Sequence, residues 1–219
     1  MKNNNKNFNF SQTYFGFETC KSILGVGSNT MSKLIDLNLV AVLDDDANQR
    51  NQKYAGYDIE YLTSARNRPL LIPEGEIALV CSMGIEEHNG IPSLYLSGVW
   101  DQYYDFLNQV QQFVLPEVWE KIKTHKYRIT GEWRVKKEDA DELVKNNSIV
   151  VASYGGFILD GARIVEELDM NQFRQKGGRY FIVEPFNKQD RSNYAHNYLE
   201  SKQGPACKVV TSKYLQGEI

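Results

Sequence analysis

The most informative stretch of this sequence is a run of twelve residues near its N-terminus, which reads LGVGSNTMSKLI over positions 24–35. Its first part, Gly25-Val26-Gly27, predicts a tight turn in which one apolar side chain plugs a small core between two helices. Its second part opens with Ser28-Asn29-Thr30, a cluster of good helix N-caps, and continues with apolar residues at helical spacing. The run therefore predicts a helix, a sharp turn and a second helix that ends near residues 36–38.

The sequence on either side of this run predicts the remaining elements of a small domain. Apolar residues at helical spacing indicate a first helix over 11–24. After the second helix, residues 39–43 predict a short buried strand, residues 44–52 a polar turn, and Lys53-Tyr54 the returning strand. A closing helix is expected over 57–62. Two short helices, a hairpin and a closing helix together make a winged helix-turn-helix.

The run over 24–35 resembles the helix-turn-helix of MerR-type regulators and phage excisionases, whose pattern reads LGVSxxTVxxLI. Residues 37–40, Leu-Asn-Leu-Val, are similar to the start of the wing in those families. Tyr54 and the segment 57–62, Tyr-Asp-Ile-Glu-Tyr-Leu, are similar to their closing element. The resemblance covers residues 11–68. It implies a recognition helix in the major groove, a wing on the adjacent backbone, and often a dimer or a helping partner.

Physical reasoning places DNA contacts on the second helix, and the resemblance implies further contacts on the wing. The candidates on the second helix are Ser28, Asn29, Thr30, Ser32 and Lys33. The candidates on the wing are Arg50, Gln52, Lys53 and Tyr54. The sequence Lys33-Leu34-Ile35 is nearer to the excisionase form than to the Arg-Tyr-Tyr of MerR proteins. The wing begins with Asp44-Asp45-Asp46, whose carboxylates would repel phosphate unless they face away.

The rest of the chain, residues 75–219, predicts an α+β domain on a mainly antiparallel sheet, with a possible subdivision near residue 126. A domain edge is expected around 66–75, because Pro69 restricts the residue before it and a turn follows. Gly155-Gly156 is interpreted as a tight turn that ends the strand before it, and Asp160-Gly161 as the turn of a hairpin. Residues 1–10 are expected to form a disordered tail. The main elements expected are strands at 77–81, 94–100, 127–135, 148–153 and 179–183 and helices at 103–123 and 137–145.

Charge is distributed unevenly, although the net charge of the chain is only −3. Residues 1–70 carry eight Lys/Arg against seven Asp/Glu, residues 71–126 three against eight, and residues 127–219 fourteen against thirteen. A DNA-binding face needs only local positive charge, since exposed charges are screened beyond about 10 Å. Trp133 with several arginines indicates either a basic aromatic face or, as we favour, core packing with solvated arginines. Those arginines are Arg128, Arg134, Arg163 and Arg179.

Sites of other kinds find little support in the sequence. The three cysteines lie far apart and no Cys/His cluster has metal-ligand spacing, so buried reduced thiols and no metal or cofactor are expected. Glu132-Trp133-Arg134 has an arginine where a metal-dependent nuclease would need a lysine. No apolar run reaches the roughly 18–20 residues of a membrane span, and no secretory signal is recognised, so a cytoplasmic protein without a membrane partner is expected.

These observations favour a DNA-binding regulator or accessory factor, of phage or mobile-element origin, that reads double-stranded DNA through its N-terminal domain. The C-terminal domain would then sense a ligand, form a homodimer or recruit a protein partner. Two alternatives remain open. One is an inhibitor that captures a host nucleic-acid enzyme through its acidic middle segment, residues 71–126. The other is a nucleic-acid enzyme targeted by the helix-turn-helix, although no catalytic residue can be named.

Overall fold

The chain is described here by a computed structural model that covers residues 14–44, 51–82, 85–88, 91–94, 110–168, 178–200 and 207–212. The chain divides into two compact units. The N-terminal unit ends at Arg68 and also includes Ile85–Ser93, and the C-terminal unit comprises the rest. Within the described stretches, no helix is both long and apolar enough to cross a lipid bilayer.

The N-terminal unit combines short helices with a small antiparallel sheet. Its described elements are β1 (Tyr14–Phe15), α1 (Phe17–Leu24), α2 (Ser28–Asp36), β2 (Val42–Asp44), β3 (Lys53–Ala55) and α3 (Gly56–Arg66). The three strands lie in the order β1-β3-β2. Helix α1 contacts both α2 and α3. The buried apolar side chains of the three helices include Cys20, Leu24, Met31, Leu34, Ile59 and Leu62.

Two residues with positive φ end α1 and α2 sharply. Gly25 is left-handed, with a φ of 59°, and its N–H donates to the Lys21 carbonyl, a C-cap that glycine suits best. Asn38 has a φ of 54°, and beyond it the Leu39 N–H donates to the Leu34 carbonyl at 2.9 Å. The turn between α1 and α2 is therefore confined to residues 25–27, as the sequence predicted.

Three details of the N-terminal unit differ from the sequence prediction. Residues 14–15 pair with β3 as a strand, so α1 begins at Phe17 rather than at residue 11. The N-cap of α2 is Gly27, and the predicted capping cluster lies inside the first helical turn. The strand expected to be buried over 39–43 begins only at Val42 and its side chains are exposed, whereas Val40 before it is buried.

The C-terminal unit contains a six-stranded sheet in the order β11-β4-β8-β9-β10-β7. Its strands are β4 (Ile77–Ser82), β7 (Arg128–Trp133), β8 (Ile149–Tyr154), β9 (Phe157–Leu168), β10 (Arg179–Pro185) and β11 (Cys207–Thr211). Its helices are α4 (Pro116–Lys123), α5 (Lys137–Lys145) and α6 (Lys188–Tyr194), with a 3-10 turn at Gln111–Phe113. Strands β5 (Ile85–His88) and β6 (Ile91–Leu94) pair with each other outside this sheet, and apart from Leu94 they belong to the N-terminal unit. Only β4 and β8 are parallel neighbours in the large sheet, which confirms an α+β protein with a mainly antiparallel sheet.

Helices cover the large sheet at several places. Ala78 and Val80 of β4 belong to a buried cluster that also contains Tyr194 of α6. Helix α5 contacts β4 and β9, the two strands that flank β8, and buries its own Leu143. Helix α4 contributes Ile122 to a second cluster beside β7 and β10. Burial along the whole of β8 agrees with its continuous apolar run, which is typical of a strand covered on both sides.

The predicted hairpin at Asp160-Gly161 is wrong. Strand β9 runs unbroken through these residues, and the tight turn lies earlier, at Gly155-Gly156. Both of these glycines have positive φ, 55° and 93°, as a type I′ hairpin turn requires. Gly161 is a glycine for a different reason. A Cβ there would lie 2.5 Å from the Val150 carbonyl oxygen and 2.6 Å from the ring of Phe186, so these close approaches exclude a larger residue.

Two elements of the C-terminal unit were not predicted. Helix α6 is short and polar, and it is capped by the side chain of Asn187, which accepts a hydrogen bond from the Asp190 N–H at 2.9 Å. The apolar patch Val209-Val210 forms part of β11, an edge strand paired with β4. Most of the strand predicted over 94–100, and the predicted helical residues before 110, lie outside the described residues.

Candidate nucleic-acid interface

Helix α2 buries its apolar side and offers its polar side to solvent. Met31 and Leu34 are 0% exposed, and Val26 in the preceding turn is half-buried. The five predicted contacts on this helix are Ser28, Asn29 and Lys33, which are exposed, and Thr30 and Ser32, which are half-buried. Short hydroxyl and amide side chains beside one lysine are groups that can reach base edges and phosphates.

The N-terminal end of α2 carries backbone donors that no side chain caps. Gly27 is the N-cap residue, with a φ of −76° and a ψ of 165°, and it has no side chain that could accept from the first turn. Its carbonyl accepts the Met31 N–H at 3.0 Å. The N–H groups of the first turn therefore point out of the helix without intrahelical partners, and the helix dipole adds partial positive charge. Such an end suits a phosphate oxygen.

Hydrogen bonds made by side chains of α3 fix the angle between α1 and α2. The guanidinium of Arg66, the last residue of α3, donates from Nη1 to the Leu24 carbonyl at the end of α1. Glycine is favoured at position 25 by its positive φ, and a Cβ there would also displace this guanidinium. At the other end of α3, a carboxylate oxygen of Asp58 accepts the Ala41 N–H at 2.8 Å. Side chains at the two ends of α3 are thus hydrogen-bonded to the backbone just before and just after α2.

Lys53 of the predicted wing is already paired within the small sheet. Its Nζ lies 3.3 Å from the carboxylate of Asp44 on β2 and 5.1 Å from the ring centroid of Tyr14 on β1. Asp44 was expected to repel phosphate, and it instead offsets the charge of the neighbouring lysine. An exposed pair of this kind is weak, about 0–1 kcal/mol, so it reduces the phosphate attraction of Lys53 without abolishing it. Arg50 lies outside the described residues.

Tyr54 is a core residue, and its prediction as a DNA contact is wrong. Its side chain is 0% exposed and its ring centroid lies 6.0 Å from that of Phe17. Its hydroxyl donates to Oε1 of Gln52 at 2.8 Å, so this half-buried amide is partly engaged inside the unit. Burial raises the pKa of Tyr54, and burial raises the pKa of the adjacent Cys20 thiol to about 12. Alternation along β3 turns Tyr54 inward while Lys53 faces outward.

The basic aromatic face considered for the C-terminal unit does not form. Trp133 is only 9% exposed and its Nε1 donates to Oγ1 of Thr130 at 3.0 Å, as expected of a core residue. Two of the four arginines expected to be solvated form ion pairs instead, whereas Arg134 is exposed as expected. Arg163 donates to Asp190 at 2.6 Å, and Arg179 pairs with a glutamate of β9. These side chains therefore stabilise the sheet and its contact with α6.

Sequence reasoning missed two features. One is the pair of residues that position α2, and the other is a cluster of basic residues in the C-terminal unit that could also contact DNA. Arg66 and Asp58 hold α3 in place, and only their distant partners reveal that role. Residues 121–128, from the last turn of α4 to the first residue of β7, form a dense basic stretch, and a charge count over short windows would have found it. Among the described residues, no group of three or more His, Cys, Asp or Glu side chains could hold a metal ion. Comparison with known proteins finds no matching family model, no matching curated protein and no matching solved structure.

Proposed function

We propose that the N-terminal unit is a winged helix-turn-helix, similar to those of MerR-type regulators and excisionases, that binds double-stranded DNA. The protein acts as a regulator or accessory factor on that DNA. Helix α2 is the recognition helix and lies in the major groove, and the hairpin of β2 and β3 lies beside it on the phosphate backbone.

One observation carries this proposal, namely the asymmetry of α2. Its inner face is closed by Met31 and Leu34, while its outer face presents Ser28, Asn29 and Lys33. The face is polar but not strongly charged, which suits hydrogen bonding to base edges better than general attraction to anions. The helix follows a turn of three residues and precedes a strand pair, the order that a winged helix-turn-helix requires.

The uncapped N-terminus of α2 adds to this support. Recognition helices in helix-turn-helix proteins read base edges with residues of their N-terminal half. Ser28 and Asn29 occupy the first turn of α2, next to the open backbone donors behind Gly27. Asn29 is the residue suited to a bidentate contact with adenine, whereas Lys33, a turn further on, suits a phosphate or a guanine.

The experiment is a fluorescence-anisotropy titration of the full chain with labelled duplexes of random and of genomic sequence, at several salt concentrations. We expect Asn29→Ala to cost about 1–3 kcal/mol on the preferred duplex and little on random DNA. We expect Lys33→Ala to weaken binding to all duplexes, and to make the slope of log K against log salt about 0.9 less steep if the lysine contacts a phosphate.

Lys145→Ala is the matched control, because Lys145 is an exposed lysine in the last turn of α5, as Lys33 is in the last turn of α2. Equal binding by Lys33→Ala, Asn29→Ala and Lys145→Ala would contradict a recognition role for α2. A wild-type chain that binds no duplex even at low salt would instead favour capture of a protein partner.

A further inference from the structure

Residues 121–128 hold a concentration of positive charge that the helix-turn-helix does not use. They read Lys-Ile-Lys-Thr-His-Lys-Tyr-Arg, with four Lys/Arg, one histidine and no Asp or Glu in eight residues. The whole chain has 25 Lys/Arg among 219 residues and a net charge of −3. Half of this short segment is therefore cationic in a protein that is slightly acidic. We call residues 121–128 the basic turn.

The backbone of the basic turn folds back sharply and exposes its lysines. Helix α4 ends at Lys123, and His125 adopts a left-handed φ of 59°. The His125 N–H donates to the Ile122 carbonyl and the Tyr127 N–H to the Lys121 carbonyl, each at 3.0 Å. This double closure is typical of a helix C-terminus that reverses into the next element, here β7. Lys123, His125 and Lys126 are consequently exposed around the turn.

Side-chain contacts hold the basic turn in a defined shape. Tyr127 packs against the buried cluster that contains Ile122 and Ile129, so the turn is anchored to the core. The Nζ of Lys121 lies 4.8 Å from the Tyr127 ring centroid and 3.3 Å from its hydroxyl. This neutral partner orients the ammonium group without cancelling its charge. The Arg128 guanidinium lies 2.9 Å from Nδ1 of His125, which links the last residue of the turn to its middle.

An acidic side chain offsets part of this charge. Lys123 pairs with Glu120 across one turn of α4, at 2.6 Å between exposed groups. By contrast, the described residues of the N-terminal unit up to Arg68 carry five Lys/Arg and five Asp/Glu, so their charges cancel. The sequence-independent part of DNA affinity comes from cations that replace counterions on phosphates. A recognition domain with so little net charge gains affinity for DNA from cations elsewhere in the chain.

We propose that the basic turn is a second, sequence-independent contact surface for the phosphate backbone of duplex DNA. The inference rests on the proposed function for its choice of partner. A duplex presents a phosphate every 3.4 Å or so along each strand, so several lysines on a tight turn can be satisfied without special geometry. A protein partner would need carboxylates at matching positions. The C-terminal unit thus contributes affinity, and α2 contributes sequence preference.

The experiment compares two double variants of the full chain with equal loss of charge. Lys123→Gln with Lys126→Gln removes two exposed charges from the basic turn, and Lys136→Gln with Lys145→Gln removes two exposed charges from the ends of α5. Each is titrated by anisotropy against a labelled random-sequence duplex between roughly 50 and 200 mM salt. Because all four positions are exposed, circular dichroism and thermal melting should match the wild type.

We expect the basic-turn variant to bind roughly 60-fold more weakly at 0.1 M salt, with a salt slope less steep by about 1.8, or about 0.9 for each lost contact. The control variant should differ little from wild type. Equal binding by the two variants would overturn the inference and leave the proposed role of α2 intact. Loss of binding in the basic-turn variant, with Lys33→Ala and Asn29→Ala unchanged, would support the inference and refute that role. A wild type that binds no duplex would overturn both.

Discussion

Aspartate at Gly27 should stabilise the protein and at the same time weaken its binding to DNA. Gly27 has the extended backbone of an N-cap, and a Cβ there would meet nothing within 4 Å. An aspartate would fit and could accept hydrogen bonds from the first turn of α2. Replacing a glycine cap adds a few tenths of a kcal/mol. A negative charge at a helix N-terminus adds about 0.3–1 kcal/mol. We therefore expect a gain of about 0.5–1 kcal/mol in the free energy of unfolding.

The same carboxylate would lie where the proposed complex has a phosphate or a base edge. At about 5 Å from a phosphate, repulsion amounts to roughly 0.8 kcal/mol in water and roughly 3 kcal/mol at an effective dielectric constant of 20. The expected loss of affinity is therefore about 1–3 kcal/mol, or about 5- to 150-fold. A stabilised protein that binds less tightly cannot be explained by misfolding.

Gly16 offers a matched control within the same unit. It is the N-cap of α1, with a φ of −79° and a ψ of 163°, and it also has open space around a new Cβ. Gly16→Asp should give a similar gain in stability by the same mechanism. Urea unfolding measures the stability of both variants, and anisotropy measures their DNA affinity. Equal affinities for Gly27→Asp and Gly16→Asp would refute the placement of the α2 N-terminus at the DNA.

Three further predictions concern the stability of the fold. Gly156→Ala should cost about 1–3 kcal/mol more than Gly75→Ala, because both glycines have positive φ but only at Gly156 would a Cβ lie 2.7 Å from the Leu199 carbonyl oxygen; equal melting temperatures would contradict this packing effect. Ser148→Ala should leave stability unchanged or raise it by up to about 1 kcal/mol, since the buried Ser148 hydroxyl has no hydrogen-bond partner among the described residues; a loss of more than that on urea unfolding would show that the hydroxyl is bonded. Burial raises the pKa of Cys20 from 9.0 to about 12. The thiol's contribution to the free energy of unfolding is therefore complete below pH 9 and is lost as the pH rises toward 12. The loss is about 1.4 kcal/mol per pH unit. Cys20→Ala should flatten this alkaline decline in urea unfolding, and an equally steep decline in the variant would rule out Cys20 as its source.

The elements that the sequence predicted well are those whose pattern is strong over their whole length. Helix α2 buries positions 31 and 34 and exposes positions 28, 29 and 33. The helical spacing of its apolar residues can therefore be recognised from the sequence alone. Strands β4 and β8 are continuous apolar runs ended by exposed or turn-forming residues. In these segments local preference and tertiary burial favour the same structure. They could therefore be predicted without knowing which other segments pack against them.

The errors arose where tertiary contacts chose between two local signals. Asp160-Gly161 and Gly155-Gly156 both suit a hairpin turn, but only the second lies against the backbone of Leu199 and the ring of Tyr198. Asp160 instead pairs with Arg191 of α6 at 3.0 Å. Similarly, residues 14–15 fit a helical period, yet they pair with β3. A local signal cannot rank such alternatives, since the contacts that decide between them come from distant segments.

The same limit explains why the wing was harder to predict than the recognition helix. The outer face of α2 follows from its own sequence, because its inner face is defined by apolar residues three apart. The chemistry of Lys53 and Tyr54 depends on neighbours across strands, with Asp44 and Tyr14 beside the lysine and Phe17 beside the tyrosine. The pairing of Lys53 with Asp44 makes the wing less attractive to phosphate than its sequence alone predicts. If this unit binds DNA, cations elsewhere in the chain add to its backbone affinity, and the basic turn at 121–128 places four Lys/Arg within eight residues of the C-terminal unit.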